Sequence, residues 1–275
     1  MDVRCEGVVH IYPASGKDMD DVVALRGVDL EVDAGEFVAL LGPSGSGKST
    51  VLGLLAGVLR PSAGRVLIGD HDIGRMPPRS LGALRGSLVG TLLQNPSRNL
   101  LPYATVRQNV QFAAAPKAAR HRPDELLDQL GLDHLANNKV AGRLSGGEQQ
   151  RVAIAAAACS GAQLLLADEP TSQLDAEGRG EVIALVEQVN RELGATVVLV
   201  THDPHVAERS ARTVTIRDGR VGAEGRHGRE YAVVGRDGAL QLPPDVLERF
   251  PPGTLLEVAA EQDAITLTRR PDGAA

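Results

Sequence analysis

Aromatic residues are scarce in this 275-residue chain, which has three tyrosines, three phenylalanines and no tryptophan. Hydrophobic residues still make up 43% of the chain, so alanine, valine and leucine must supply most of a globular core. The two cysteines, Cys5 and Cys159, are far apart and form no CxxC pair, which argues against a disulfide framework or a cysteine-based metal site. We expect both to be reduced thiols of a cytosolic protein.

Excess positive charge is also lacking, because the formal net charge is −6 and the isoelectric point is about 5.7. This balance argues against a general nucleic-acid-binding surface. The N-terminal residues lack the apolar core of a signal peptide, and the most apolar stretch, 152–167, is too short and too interrupted to span a bilayer. If the protein acts at a membrane, we therefore expect another chain to cross it.

Short apolar runs indicate a parallel sheet. Residues 36–42, 163–168 and 196–202 are nearly continuous apolar segments bounded by polar or glycine residues, as expected for strands buried on both faces. Residues 176–193 carry apolar side chains at helical spacing and predict a crossover helix. Residues 2–12 and 28–33 alternate more, which favours an antiparallel edge region. The pattern predicts an α/β fold.

A glycine-rich loop follows the first of these runs. Its sequence fits G-x-x-x-x-G-K-[ST], between a predicted strand and a predicted helix, and comprises Gly42, Pro43, Ser44, Gly45, Ser46, Gly47, Lys48 and Ser49. The glycines let backbone N–H groups converge on phosphates, and the helix adds its positive end. Lys48 can reach the β- and γ-phosphates, while Ser49, beside Thr50, suits Mg²⁺. The loop predicts binding of a nucleoside triphosphate.

Two acids end the second apolar run. Asp168 lies at the predicted strand's C-terminal end, where it would hold Mg²⁺ beside the phosphate loop. Glu169 is then placed to polarise the water that attacks the γ-phosphate. The loop with Lys48 and Mg²⁺ would neutralise the phosphates, so the protein's predicted task in hydrolysis of the nucleoside triphosphate is positioning and charge stabilisation.

The segment LSGGEQQR, residues 144–151, resembles the signature of the ABC-transporter ATPase family, and the resemblance covers about residues 1–224. At a helix N-terminus, Ser145, Gly146, Gly147 and Glu148 form a second anion site with free N–H groups. In the family this site contacts the γ-phosphate held by the other subunit. The resemblance therefore implies a head-to-tail pair of two copies of the chain.

Further residues match the family's motifs in the family's order. The resemblance implies that Gln94 senses Mg²⁺ or water and contacts the membrane subunit, and that Asp175 is the D-loop aspartate. His202 would bond the γ-phosphate and orient Glu169, and Tyr12 would stack on adenine, although a tyrosine at a strand end is often plain packing. Two positions depart from the family pattern: Gln173 stands where a small residue is usual, and Ala156 where arginine is frequent.

Three segments narrow the resemblance to one branch of the family. Residues 12–32, 42–50 and 99–110 are similar to the branch that includes lipoprotein-release, macrolide-export and cell-division ATPases. These ATPases act with four-helix membrane subunits, often in extrusion or mechanical work. The resemblance implies a polytopic permease as partner, a peripheral position on the cytoplasmic face of the membrane, ATP and Mg²⁺ as ligands, and no other metal.

The C-terminal tail differs in character from the rest. Residues 226–229 look like a linker, so we divide the chain into an ATP-binding domain at 1–224 and a small β-rich module at 225–275. Residues 231–270 resemble the AbrB-type swapped-hairpin module, which dimerises and binds DNA in its usual setting. Residues 226–275 hold six arginines against eight acidic residues, so DNA binding is not expected. The tail is predicted to serve dimerisation or regulation, or else to pack on its own subunit.

Two other function classes remain open at this point. One is a soluble ABC-type ATPase in DNA repair, translation or chromosome maintenance. These usually carry coiled-coil insertions, zinc sites or two ATPase cores, and the sequence shows one core without heptads. The other is a regulator whose tail binds nucleic acid while ATP acts as a switch. The expected overall fold is a P-loop NTPase of ABC type, with a parallel core sheet, an antiparallel edge region and a helical subdomain.

Overall fold

The computed structural model describes residues 1–14, 20–114, 123–136, 141–226 and 228–269. Residues 15–19, which belong to the branch-like segment 12–32, lie outside the described residues, as do His227 of the predicted linker and Arg270 at the end of the tail.

Strands and helices alternate through most of the chain. Within the described ranges the strands are β1 Val3–Tyr12, β2 Val22–Val32, β3 Phe37–Leu41, β4 Ala63–Ile68, β5 His71–Asp72, β6 Val89–Leu92, β7 Leu164–Asp168, β8 Thr196–Val200, β9 Arg212–Arg217, β10 Arg220–Arg226, β11 Arg229–Ala232, β12 Leu256–Ala260 and β13 Ile265–Arg269. The α-helices there are α1 Lys48–Leu55, α2 Pro78–Leu88, α3 Val106–Ala113, α4 Pro123–Gln129, α5 Asp133–Ala136, α6 Gly146–Cys159, α7 Ala176–Leu193, α8 Pro204–Ala207 and α9 Pro244–Arg249.

The large sheet has seven strands in the order β11-β10-β9-β3-β8-β7-β6. The strands from β9 to β6 run parallel, whereas β10 and β11 are added antiparallel at one edge. A smaller antiparallel sheet has the order β2-β1-β4-β5. The predicted α/β fold, with its parallel core and antiparallel edge region, is confirmed.

The central strands are buried on both faces. In β7, Leu165 packs into one apolar cluster with side chains of α3, α6 and α7, whereas Leu164 and Leu166 pack into a second cluster with α1 and the smaller sheet. Because side chains alternate between the two faces of a strand, each cluster takes every second residue of β7. Every position must therefore be apolar, which explains the continuous apolar run in the sequence. The crossover helix predicted at 176–193 is α7. No helix in the described ranges is both long enough and apolar enough to cross a bilayer.

The two ends of the predicted linker lie on paired strands. Arg226 of β10 pairs with Arg229 of β11, and β11 continues the large sheet through Ala232. Beyond it come a turn bridged by Val234 and Leu240, the short helix α9, and the β12–β13 hairpin. The boundary at 224/225 and the AbrB-like nature of the tail stay predictions.

Candidate nucleotide site

The phosphate loop joins β3 to α1 and depends on glycine at both ends. Gly42 has a φ of 139° and Gly47 a φ of 105°, values that side-chain-bearing residues rarely adopt. A Cβ atom on Gly42 would lie 2.0 Å from the carbonyl oxygen of Ile216, and one on Gly47 would lie 2.8 Å from that of Ala24. The loop is therefore closely packed against β9 and β2, and its curvature is fixed by its neighbours.

Lys48, the first residue of α1, folds back over this loop. Its ammonium group donates hydrogen bonds to the carbonyl oxygens of Gly42 at 2.8 Å and Pro43 at 2.7 Å. Burial lowers the pKa of Lys48, and the nearby carboxylates of Glu169 and Asp168 partly offset that effect. A largely desolvated cation beside the converging N–H groups of the loop is suited to bind phosphate oxygens.

Asp168 ends β7 beside the start of α1. The Ser49 hydroxyl donates to its Oδ1 at 3.4 Å, so the two predicted Mg²⁺ ligands are neighbours. Burial raises the pKa of Asp168, and the charge of Glu169 adds to that rise, while the hydrogen bond from Ser49 and the charge of Lys48 oppose it. The ionised carboxylate is thus held in surroundings that favour a compensating cation.

Glu169 lies at the centre of a group of three polar side chains. The Nδ1 atom of His202 is 3.2 Å from its Oε1, and the Nε2 atom of Gln94 donates to its Oε2 at 3.4 Å. Gln94 follows β6, Glu169 follows β7 and His202 follows β8, and these strands are parallel neighbours. Their carboxyl ends meet at one edge of the sheet, which brings together residues far apart in sequence.

The backbone of Glu169 contributes to this placement. It has a φ of 45°, in the left-handed region that a residue with a side chain seldom occupies, and its N–H donates to the carbonyl of Val200 at 3.0 Å. The local turn directs the carboxylate towards the phosphate loop, and strain of this kind is often found at functional sites.

A cavity of about 590 Å³ extends from the phosphate loop. Its lining comprises Tyr12, Val22, Val23, Ala24, residues 42–50, Glu169 and His202. Asp168 and Gln94 reach it through their contacts with Ser49 and Glu169.

Tyr12 lies at the wall of this cavity, at the end of β1. Its hydroxyl is 3.2 Å from the Thr50 hydroxyl, and the ring of His10 meets its ring edge to face. Sequence reasoning missed residues 22–24 of β2, which line the same wall. Their signal was the alternating pattern that pairs β2 with β1, where Tyr12 stands opposite Val22.

The predicted signature residues lie outside the cavity of the phosphate loop. Ser145 caps α6: its hydroxyl accepts from the Glu148 N–H at 3.2 Å, and the Glu148 carboxylate accepts from the Ser145 N–H at 2.8 Å. Asp175 caps α7 by accepting from the Gly178 N–H at 2.9 Å. Both helix starts border a second cavity of about 310 Å³, lined by Ser145, Gly146, Gly147, Glu148, Arg151, Gln173, Leu174, Asp175, Glu177, Gly178 and Glu181.

The two cavities are separate. Among the described residues, none lines both of them. The structure thus brings Tyr12, the loop, Asp168, Glu169, Gln94 and His202 together, and it groups Ser145 to Glu148 with Asp175. Of the two departures from the family pattern, Gln173 lines the second cavity, whereas Ala156 is buried in an apolar cluster. Sequence reasoning missed Arg151, which pairs with Glu181 across this cavity.

Comparisons with known proteins agree with this geometry. The sequence model of the ABC transporter family matches residues 25–172. The chain is 44% identical over 214 residues to the lipoprotein-releasing system ATP-binding protein LolD of Anaeromyxobacter dehalogenans, covering 76% of this chain and 88% of that protein. It is 43% identical over 205 residues to the macrolide export ATP-binding/permease protein MacB of Marinobacter nauticus, covering 73% of this chain and 31% of that protein.

A solved structure shows the same fold. The ATP-binding cassette MJ0796, in a dimeric post-hydrolysis state bound to ADP and Pi, is similar with a TM-score of 0.71 and 34% identity, over 83% of this chain and 100% of that chain. With the phosphate loop, the acidic pair and the separate signature cavity in place, the chain belongs to the ABC transporter family and carries its ATP-binding, ATP-hydrolysing domain.

Proposed function

We propose that this protein is the ATPase subunit of an exporter or of a mechanically acting ABC transporter. In this proposal two copies bind two ATP molecules head to tail, each between the phosphate loop of one copy and the signature cavity of the other. The observation that carries the proposal is the separation of the two cavities. Each borders a helix start, whose N–H groups suit an anion, and no described residue lines both cavities.

The dimer has further support from the helix starts themselves. Ser145 and Gly146 at the start of α6 line the second cavity, and the N–H groups of a helix's first turn suit a γ-phosphate. Asp175 fixes the start of α7 beside them. The similar cassette MJ0796 is described as dimeric and holds ADP and Pi, the products of ATP hydrolysis.

The chemistry assigned to the first cavity follows from its charges. The loop N–H groups and Lys48 would bind the phosphates, and Tyr12 would stack on the adenine. Glu169 would accept a proton from the attacking water, because its carboxylate lines the cavity and is held by Gln94 and His202. His202 would also bond the γ-phosphate, which links the state of the nucleotide to the position of Glu169.

The residues present fit a magnesium ion. Ser49 and Asp168 offer a hydroxyl and a carboxylate oxygen beside the loop, and the amide oxygen of Gln94 is a third candidate, since its nitrogen is bonded to Glu169. Within the described ranges no cluster of three His, Cys, Asp or Glu side chains could hold a metal alone. This suits an ion that takes its other ligands from phosphate and water and that, when bound, neutralises phosphate charge.

The surface between Gln94 and α3 is the proposed contact with the membrane partner. It exposes Leu93, Tyr103 and Phe112. Tyr103 and Phe112 are each 77% exposed, although the chain has only six tyrosine and phenylalanine residues in all. Exposed aromatic side chains are enriched at protein interfaces. The similar proteins include a LolD protein, of which this chain covers 88%, and a MacB protein named as an ATP-binding/permease protein. We therefore assign a separate polytopic permease, which would hold this subunit at the cytoplasmic face of the membrane.

The tail is assigned to dimerisation or regulation rather than DNA binding. It exposes Leu255 just before β12, and Val258 and Ile265 in the β12–β13 hairpin, which a partner surface could cover. Its acidic balance opposes phosphate neutralisation.

Purification from native membranes in mild detergent tests the proposal. The full-length chain should carry a polytopic membrane protein with it, and the double variant Tyr103→Ser/Phe112→Ser should lose that protein while it keeps ATP affinity. Tyr231→Ser, which changes an exposed tyrosine on β11, is the matched control and should keep the partner. Absence of any membrane partner, together with ATPase activity stimulated by DNA or ribosomes, would support the soluble class of ABC ATPase instead.

A further inference from the structure

The turn between β9 and β10 lies against the phosphate loop. Asp218 has a φ of 49° and Gly219 a φ of 73°, the pattern of a two-residue type I′ hairpin turn. The Gly219 N–H donates to the carbonyl of Ser46 at 3.1 Å, and its carbonyl accepts from the N–H of Arg26 at 2.8 Å. The turn is thus bonded on one side to the loop and on the other to β2.

This turn has little room to move on its own. A Cβ atom on Gly219 would lie 2.6 Å from the carbonyl oxygen of Ala24, and β9 already approaches the loop closely at Ile216 and Gly42. Because the turn, β2 and the loop are in direct contact, a shift of the β9–β10 hairpin must change the position of Ser46.

Residues 233–241, which we name the bracing segment, bind the same hairpin from outside. Asp237 forms an ion pair with Arg220, and the Gln241 amide donates to the carbonyl of Arg217 at 3.2 Å. Arg217 and Arg220 are the two residues that flank the Asp218–Gly219 turn. The bracing segment therefore holds the turn at both of its ends.

Two more bonds attach the bracing segment to the body of the protein. The Val233 N–H donates to the carbonyl of Gly222 in β10 at 3.1 Å, and Arg236 pairs with Asp29 of β2 at 2.8 Å. The bond from Arg220 holds the pKa of Asp237 below its ordinary value, in agreement with a formed ion pair. The contacts of the bracing segment are ion pairs and hydrogen bonds near the surface, and such contacts are individually weak.

We infer that the bracing segment positions the phosphate loop: Asp237 and Gln241 fix the β9–β10 turn, and Gly219 in that turn fixes Ser46. The C-terminal tail is thereby linked to ATP binding without touching the nucleotide. Whatever binds the tail and displaces the bracing segment lowers the affinity for ATP, and whatever orders the segment raises it. Asp237 and Gln241 act as positioning residues, because they reach the site only through the hairpin.

Steady-state ATP hydrolysis by the full-length double variant Asp237→Asn/Gln241→Ala tests this inference. We expect the KM for Mg-ATP to rise about two- to tenfold, the size that loss of one exposed ion pair and one half-buried hydrogen bond permits, with kcat within about twofold of the parent value. The control is Asp245→Asn/Gln262→Ala, which makes the same two changes at exposed tail positions outside the bracing segment. Its KM should equal that of the parent.

Charge exchange separates positioning from general damage. Arg220→Asp alone should raise the KM, and Arg220→Asp/Asp237→Arg should restore it, because the pair is rebuilt with its charges reversed. Amide hydrogen exchange at Gly219 should be faster in the Asp237→Asn/Gln241→Ala variant and normal in the restored pair. Three results would overturn the inference: an unchanged KM in Asp237→Asn/Gln241→Ala, an equal rise of the KM in the control variant, or a fall in kcat without a change in KM.

Discussion

Replacing Glu169 with glutamine removes the assigned base while it keeps the shape of the side chain. Gln94 can still donate to the amide oxygen, so the 3.4 Å contact that orients the group is retained. A general base contributes about 10²- to 10⁴-fold to a rate, so kcat should fall by that factor. At about 1.4 kcal/mol for each factor of ten, the lost transition-state stabilisation is about 3–5 kcal/mol.

ATP affinity should respond differently from the rate. The variant loses one negative charge beside the phosphate loop, so binding of ATP should be retained or become tighter, and an ATP-bound dimer should accumulate. Phosphate release measures the rate, titration of ATP measures the affinity, and gel filtration with ATP measures the dimer. Glu31→Gln, an exposed position on β2, is the matched control and should behave as the parent. Normal turnover of Glu169→Gln would refute the role of Glu169.

Two further substitutions test the site. Asp168→Asn should abolish Mg-dependent hydrolysis yet raise the unfolding temperature of the nucleotide-free protein at pH 7. Burial raises the pKa of Asp168 in the folded protein, so ionisation of the carboxyl group lowers the stability above that pKa. The gain in unfolding temperature should vanish below about pH 3.8, where the carboxyl group is protonated in both the folded and the unfolded protein. An unfolding temperature that falls at pH 7 would contradict this. Gly42→Ala should lose ATP binding because the added Cβ atom meets the carbonyl of Ile216. Gly82→Ala is the control: Gly82 lies in α2 with open space around it, so this change should stabilise the protein by about 0.5–1 kcal/mol. Equal effects of the two variants on ATP titration and on thermal unfolding would show that the loop tolerates a side chain.

The sequence was informative wherever a feature depends on local chemistry. The strands β3, β7 and β8 were predicted because a strand buried on both faces needs a continuous apolar run, and α7 because its apolar residues follow helical spacing. The phosphate loop and the capped start of α6 were predicted because glycine and serine have specific backbone roles there.

Long-range pairing was beyond the reach of the sequence. The order β6-β7-β8 places Gln94 beside Glu169, but nothing local to either residue specifies it. The sequence of residues 226–229 indicates a linker, whereas the place of β11 in the large sheet depends on its pairing with β10. The Asp218–Gly219 dipeptide does signal a hairpin turn, but its bond to Ser46 is a tertiary contact.

Mixing two inactive variants shows whether one ATP site is built from two copies of the chain. Lys48→Ala damages the phosphate loop and Ser145→Arg blocks the signature cavity, so neither variant alone should hydrolyse ATP. In a mixed dimer the intact loop of the Ser145→Arg copy faces the intact signature of the Lys48→Ala copy. We expect mixing to restore phosphate release. A mixture that stays inactive, although both variants are folded and associate, would show that the site is not shared between two copies.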